Sequence, residues 1–203
     1  MRKKRILVYG DSNVWGDREP GVKRFATEKQ WPNILQSLLG DDYEVVQEGL
    51  CARTAGDRDQ GKLYLNGKSS YEAILRSASP VDLVVVALGT NDIRNAYETS
   101  AQQIAEDLQR YKTYTENYAA DAINDMTDFR GVLYVKVPKL YDYEGLERSE
   151  NDLKELNRLI GRFADNWVEV GEPKYCTDGL HYSEEGHEEL AKIVYEKVKE
   201  IKL

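Results

Sequence analysis

Residues 82–92 read DLVVVALGTND, and this stretch decides the fold. After its aspartate, the run Asp82–Leu88 is apolar at every position, which is typical of a central parallel strand that helices cover on both faces. The polar residues that follow it mark the carboxyl end of that strand, where open α/β sheets place their functional loops. The stretch therefore predicts both a sheet and the edge of that sheet where function lies.

The rest of the chain alternates between strand-length apolar runs and helical patterns. Runs of strand length occur at Ile6–Tyr9, Tyr43–Val46, Val132–Val137 and, weakly, Trp167–Val170. Helical periodicity occurs at Trp31–Leu39, Ser70–Ser79, Ser100–Ala120, Ser149–Ala164 and in the C-terminal segment. This alternation predicts an α/β fold with three layers, in which helices cover both faces of a parallel sheet of about five strands.

Length and composition indicate one globular domain. The chain has 203 residues, of which 41% are hydrophobic and 32% are charged. That composition is too apolar for a disordered chain, and its apolar runs are too short to span a membrane. Since neither an internal repeat nor a linker interrupts the pattern, residues 1–203 are expected to form a single domain.

The charge balance argues against nucleic acid as a partner. Lys and Arg number 28 and Asp and Glu number 36, which gives a net charge of -8 and the wrong sign for binding phosphates. The basic residues Arg2–Arg5 precede an apolar run that is too short for a signal peptide, so we expect a cytoplasmic protein without a membrane partner.

Metal and nucleotide cofactors are also not expected. Two histidines and two cysteines, Cys51 and Cys176, offer little material for a metal site, and in a reducing compartment the cysteines are expected to be small apolar fillers. Neither the Gly-x-Gly-x-x-Gly nor the Gly-x-x-x-x-Gly-Lys-Ser/Thr pattern of phosphate-binding loops follows the first strand.

Three polar segments follow strands. Ser12, in Gly10-Asp11-Ser12, is placed for nucleophilic attack at the carboxyl edge, although a serine there is as often a helix cap. The amide of Asn91 could donate to a developing oxyanion, and the N–H of Gly49 could approach a ligand closely. An ordinary turn is the alternative for both Asn91 and Gly49.

A candidate general base lies near the C-terminus. Asp178 precedes His181 by three residues, a spacing that suits a local hydrogen bond from imidazole to carboxylate. The alternative is a solvated surface histidine. His187 falls in the first turns of the last helix, where we expect an exposed or capping residue outside the chemistry.

Taken in order, these segments resemble the SGNH, or GDSL, hydrolases. The family pattern is Gly-Asp-Ser, a glycine, Gly-x-Asn-Asp, and Asp-x-x-His near the C-terminus, and all four blocks are present. The segments Tyr9–Gly16, Trp31-Pro32, Glu48–Leu50 with Arg53-Thr54, Tyr64-Leu65 and Leu88–Asp92 are similar to the arylesterase and acyltransferase branch. Between Ile93 and Gly171 no motif supports the likeness.

The resemblance implies a flavodoxin-like α/β/α sandwich and a serine esterase without a cofactor. By this likeness, Ser12 attacks the ester carbonyl, His181 accepts its proton and Asp178 orients His181. The N–H groups of Ser12 and Gly49 and the side chain of Asn91 would form the oxyanion hole.

The expected substrate is a small-molecule carboxylic ester. Trp15 follows the serine segment and would shorten an acyl pocket in favour of small acyl groups, unless it is a core residue. Acyl transfer to alcohols, deacetylation of carbohydrate esters, and lysophospholipase or thioesterase activity all use the same residues. A non-catalytic binding protein of this fold is the rival from another class. Assembly into a homo-oligomer is left open.

Overall fold

A five-stranded parallel sheet forms the centre of the molecule. The computed structural model describes residues 2–140 and 150–203. Its strands are β1 (Lys4–Gly10), β2 (Tyr43–Gly49), β3 (Leu83–Ala87), β4 (Val132–Val135) and β5 (Asn166–Val168). They lie in the order β2-β1-β3-β4-β5, and every neighbouring pair is parallel. The predicted α/β fold is confirmed.

Helices join the strands. They are α1 (Ser12–Trp15), α2 (Trp31–Leu39), α3 (Gly67–Ala78), α4 (Ala101–Ala120), α5 (Glu150–Phe163) and α6 (Glu184–Ile201). The bounds of α2 are those predicted, and α4 begins one residue late because Ser100 is its N-cap, in a capping box with Gln103. The predicted start of α5 at Ser149 lies outside the described residues. None of the described helices has the length and apolar character needed to cross a membrane.

The two faces of the sheet carry separate hydrophobic cores. Side chains alternate along β1, so that Leu7 and Tyr9 face α3, α4 and α5, whereas Ile6 and Val8 face α2 and α6. On β3 the residues 83–86 are fully buried, as expected of a strand covered on both sides. The sheet is therefore the middle of three layers.

The strand order opens a crevice at the carboxyl edge. The chain leaves β1 toward β2 on one side, and β3 then returns on the other side of β1. At such a reversal the loops that follow the two central strands diverge and leave room for a ligand. Gly10 pairs with both Gly49 and Ala87, so β1, β2 and β3 end at the same level. The polar segments selected from the sequence lie at this edge.

His187 corrects one expectation, because it is not exposed. Its side chain is 0% accessible, its Nδ1 accepts the backbone N–H of Trp31 at 3.3 Å, and its ring packs edge-on against Phe25 and Tyr182. Burial lowers the pKa of His187 from 6.5 to about 4. The residue is a neutral part of the contact between α2 and α6, which the pattern of α6 alone did not reveal.

The buried imidazole predicts a specific loss of stability in acid. Between about pH 4 and pH 6.5 the unfolded chain binds a proton at His187 and the folded chain does not, so its contribution to stability falls as the pH falls through this window. In His187→Asn an amide oxygen can still accept the N–H of Trp31 but cannot titrate. We expect wild type to lose up to about 3 kcal/mol more than this variant from pH 7 to pH 4.

Denaturant unfolding of both proteins across this range measures that difference. Carboxyl groups titrate in both proteins, so the gap between the two curves isolates the imidazole. Parallel curves would contradict a neutral, buried His187.

Candidate active site

Ser12 lies where β1 turns directly into the short helix α1. Asp11 caps this helix, because its Oδ1 accepts the N–H of Asn13 at 3.0 Å. The turn is tight: a Cβ on Gly10 would come within 2.3 Å of Cγ2 of Val14. The helix-cap alternative for Ser12 is therefore wrong, because Asp11 is the cap and the serine hydroxyl is left for other contacts.

The Ser12 hydroxyl contacts the predicted histidine. Nε2 of His181 lies 3.0 Å from Oγ of Ser12, and Nδ1 of His181 lies 2.6 Å from Oδ2 of Asp178. The other oxygen of Asp178 accepts the N–H groups of Leu180 and His181, both at 3.0 Å. The structure therefore joins the three predicted residues in one hydrogen-bonded chain from carboxylate to imidazole to hydroxyl.

The environment of Asp178 favours its charged form. Burial by itself would raise the pKa of Asp178, but the hydrogen bonds from the N–H of Leu180 and from the ring and N–H of His181 lower it below its ordinary value. An ionised carboxylate at Nδ1 holds the proton on that nitrogen and leaves Nε2 as an acceptor. The chain of contacts is thus set to accept a proton from Ser12.

Asn13 fixes the distance between the serine and the histidine segment. Its Nδ2 donates to the carbonyl of Leu180 at 3.2 Å, and its Oδ1 accepts the N–H of Tyr182 at 2.9 Å. These two hydrogen bonds hold the backbone in place on both sides of His181. Sequence reasoning gave Asn13 no role, although an amide beside the serine in an apolar turn is a signal of a buried contact.

Asn91 is oriented by two neighbours. Its Nδ2 donates to the carbonyl of Arg53 at 3.1 Å, and its Oδ1 accepts Nη2 of Arg94 at 3.0 Å. An amide NH₂ carries two hydrogens. One hydrogen is engaged by the carbonyl of Arg53. The second can be donated to a ligand in a surface depression that Asn91 lines together with Ser12, Ala52 and His181.

Asp92 ties together the loops that follow β2 and β3. Its fully buried carboxylate accepts the N–H of Ala55 at 2.6 Å and that of Gly56 at 3.0 Å, and Nε of Arg58 lies 3.2 Å away. Burial raises the pKa of Asp92 to about 6 despite these bonds. The residue was visible in the Gly-x-Asn-Asp block, but its partners are distant in sequence.

Gly49 is placed differently from its predicted role. It is the last residue of β2, and a Cβ there would come within 2.3 Å of the backbone nitrogen of Trp15. Glycine is needed here because α1 packs directly on the strand. Three residues later, Ala52 lines the depression together with Ser12, Asn91 and His181. The segment after β2 therefore reaches the site through Ala52, and Gly49 is not among the described residues that line it.

The depression is open and has a polar rim. Its volume is about 360 Å³, with Ser12 and His181 on its wall and residues 17–22 along one side. Trp15 is absent from the described lining, which corrects its assignment to the pocket. Its half-buried ring instead lies under the guanidinium of Arg24, 4.0 Å from the ring centroid.

Both cysteines are free thiols. Cys51 lines the depression and donates to Oδ2 of Asp17 at 3.3 Å, and Cys176 donates to the carbonyl of Tyr182 at 3.4 Å. Burial raises the pKa of Cys51 to about 12 and that of Cys176 to about 11, so both are protonated and poor nucleophiles at neutral pH.

Within the described part of the chain, His, Cys, Asp and Glu form no group of three or more that could hold a metal ion.

Known proteins with a similar chain are esterases. A model of the family "GDSL-like Lipase/Acylhydrolase" matches residues 6–194. A Bacillus subtilis protein described as a probable rhamnogalacturonan acetylesterase, YesY, is 25% identical over 98% of this chain and 94% of its own length. The carbohydrate acetylesterase Est24 of Sinorhizobium meliloti superposes with a TM-score of 0.86 at 27% identity, over 98% of this chain and 100% of that one. The aryl esterase of M. smegmatis gives 0.84 at 30% identity, over 98% and 99%.

The two hydrogen bonds from Asn13 to the backbone beside His181 predict that Asn13→Ala loses both folding stability and the rate of ester hydrolysis. Removing two hydrogen bonds should cost about 1–3 kcal/mol of unfolding free energy. Because the imidazole would then move relative to Ser12, we also expect kcat for an ester to fall by roughly tenfold to a hundredfold. Denaturant unfolding and steady-state kinetics measure the two effects.

Asn157→Ala is the matched control. Asn157 also makes two amide bonds to backbone, both to Val137, at 3.0 and 2.8 Å. It should lose similar stability and keep most of the rate. Equal rate losses in the two variants would show that Asn13 has no special part in placing His181.

Proposed function

The chain belongs to the GDSL-like lipase/acylhydrolase family of carboxylic ester hydrolases, and we propose that it cleaves small acyl esters through an acyl-enzyme on Ser12. The observation that supports this mechanism is the hydrogen-bonded chain from Ser12 through His181 to Asp178. In the first step Oγ of Ser12 attacks the ester carbonyl and Nε2 of His181 takes its proton. Asp178 stabilises the imidazolium that results.

Three donors can stabilise the tetrahedral oxyanion beside Ser12. We assign the backbone N–H of Ser12, the second amide hydrogen of Asn91 and the backbone N–H of Ala52. Ala52 replaces Gly49 in this assignment because Ala52 lines the depression, whereas Gly49 is not among its described lining residues. Its φ of 62° is in the left-handed region, which is costly for a residue with a Cβ and which concentrates at functional sites.

Breakdown of the acyl-enzyme completes the reaction. Nε2 of His181 gives its proton to the departing alcohol, and then activates the water that releases the acid. The open depression admits solvent to Ser12, which favours hydrolysis. An alcohol that takes the place of this water would make the same site an acyltransferase.

A small acyl group on a polar alcohol fits the lining best. The charged side chains of Asp17, Arg18, Glu19 and Arg94 border the depression, and its apolar lining is made mainly of short side chains such as Pro20, Val22 and Ala52, which suits a short acyl chain better than a long one. The names of the similar proteins include carbohydrate acetylesterases and an aryl esterase. We therefore favour acetyl esters of carbohydrate-like alcohols over lysophospholipids and long-chain thioesters.

Replacing the proposed nucleophile tests the mechanism directly. Ser12→Ala should fold and should hydrolyse 4-nitrophenyl acetate near the background rate, because among the described residues the hydroxyl that contacts His181 is that of Ser12. Wild type treated with a phosphonylating serine reagent should gain one adduct in its intact mass, and Ser12→Ala should gain none.

Ser69→Ala, which removes an exposed hydroxyl on α3, is the control and should behave as wild type in both assays. Substantial turnover by Ser12→Ala would remove Ser12 from the mechanism. A wild type that neither reacts nor turns over any ester would favour the non-catalytic binder of the same fold.

The polar lining also predicts a preference for short acyl chains. Along the series of 4-nitrophenyl acetate, butyrate, octanoate and palmitate, kcat/KM should fall by roughly tenfold or more, equal to about 1.4 kcal/mol or more of activation free energy. Measurement below the critical micelle concentration of each ester avoids interfacial effects. A higher kcat/KM for octanoate than for acetate would rule out the short-acyl proposal.

A further inference from the structure

A second carboxylate lies beside the imidazole, in addition to Asp178. Oδ2 of Asp17 is 3.8 Å from Nε2 of His181, the nitrogen that contacts Ser12. Asp178 is on the opposite nitrogen of the ring, Nδ1. The side chain of Asp17 is 30% exposed and lines the depression, so a substrate can reach it.

The backbone holds Asp17 close to the serine. Helix α1 ends at Trp15 and is capped by Gly16, whose φ is 85°. The N–H groups of Gly16 and Asp17 both donate to the carbonyl of Ser12 at 2.9 Å. The thiol of Cys51 donates to Oδ2 of Asp17 at 3.3 Å. The carboxylate is therefore fixed from two sides, one turn of chain beyond the serine.

Nearby cations are engaged with other groups. Arg18 pairs with Glu19 at 3.6 Å and lies over Phe25, and Arg94 donates to the amide oxygen of Asn91. Arg24 stacks on a tryptophan ring and donates to a glutamine. The Asp17 carboxylate thus keeps acceptor capacity toward the depression.

The chemistry of the reaction places the leaving alcohol next to Asp17. Nε2 of His181 must pass its proton to the ester oxygen of that alcohol, so this oxygen lies within hydrogen-bond distance of Nε2 when the bond breaks. A hydroxyl on the adjacent carbon of the alcohol is then in reach of an acceptor that is 3.8 Å from the same nitrogen. A carboxylate is a strong acceptor for such a hydroxyl.

We propose that Asp17 is a specificity-determining residue that accepts a hydrogen bond from a hydroxyl adjacent to the ester, and so selects acetyl esters of vicinal diols and sugars. This inference rests on the proposed function, because it assumes that esters are cleaved at Ser12. The same charge disfavours leaving groups that carry a carboxylate or phosphate near the ester.

Two esters that differ in one hydrogen-bond donor test this role. 2-Hydroxyethyl acetate can donate to Asp17, whereas 2-methoxyethyl acetate has the same oxygen at the same position but no donor. We expect wild type to favour the hydroxylated ester in kcat/KM by roughly tenfold or more, the usual effect of one hydrogen bond to a charged group. In Asp17→Ala the ratio should fall to about one, because the acceptor is gone.

Asp17→Asn keeps an acceptor oxygen without the charge, and should retain part of the preference. Glu28→Gln removes an exposed charge from the segment that follows the loop of Asp17, outside the lining of the depression, and should leave the ratio at its wild-type value. If the ratio in Asp17→Ala stays at its wild-type value, the proposal is overturned. Equal losses of kcat/KM on both esters would then mean that Asp17 acts only through its electrostatic field at the imidazole.

Turnover of 4-nitrophenyl acetate separates this proposal from the proposed function. If wild type hydrolyses that ester but shows no preference between the two acetates, only the role of Asp17 is lost. If wild type hydrolyses none of the three esters, the proposed function is lost and the assignment of Asp17 is lost with it.

Discussion

The three strands next to the site end at one level because Gly10 pairs with Gly49 on one side and with Ala87 on the other. The positions of the site segments that follow β1, β2 and β3 depend on this register. Helix α1 lies directly on the edge, and a Cβ on Gly49 would come within 2.3 Å of the nitrogen of Trp15. Close packing therefore requires glycine at both paired positions. The same packing fixes the position of Ser12 at the sheet edge, and so its distance from His181.

Buried polar contacts hold the loops that leave this edge. Asp92 fixes the N–H groups of Ala55 and Gly56, so the segment after β2 cannot move independently of the segment after β3. Nη1 of the buried Arg53 donates to the carbonyl of Gly10 at 2.9 Å and so joins the same segment to β1. Such bonds are strong in a low-dielectric interior and costly to break. Buried hydrogen bonds therefore connect the segments that follow β1, β2 and β3.

Apolar runs were enough to predict the sheet, because strand burial is a local property. The i to i+3 spacing indicated a contact between Asp178 and His181 but left a surface histidine open, and the family resemblance favoured the contact that the structure has. What depends on packing between distant segments was not predictable in this way. His187 is buried because α2 and a loop cover it, and nothing in α6 records those partners. The expected role of Gly49 was misplaced for the same reason: glycine signals close approach, but only the fold decides whether a helix or a ligand makes that approach.

The aspartates around Ser12 differ in charge preference because their surroundings differ. Burial raises the pKa of Asp11 and of Asp92 to about 6, whereas hydrogen bonds hold the pKa of Asp178 below its ordinary value. As the pH falls, Asp92 gains a proton well before Asp178 does. A neutral carboxyl group accepts the N–H groups of the loop after β2 less strongly. Protonation also removes the cost of a buried charge, which is why burial raises the pKa of Asp92, so acid stabilises the folded state at Asp92 while the carboxylate behind His181 is still charged.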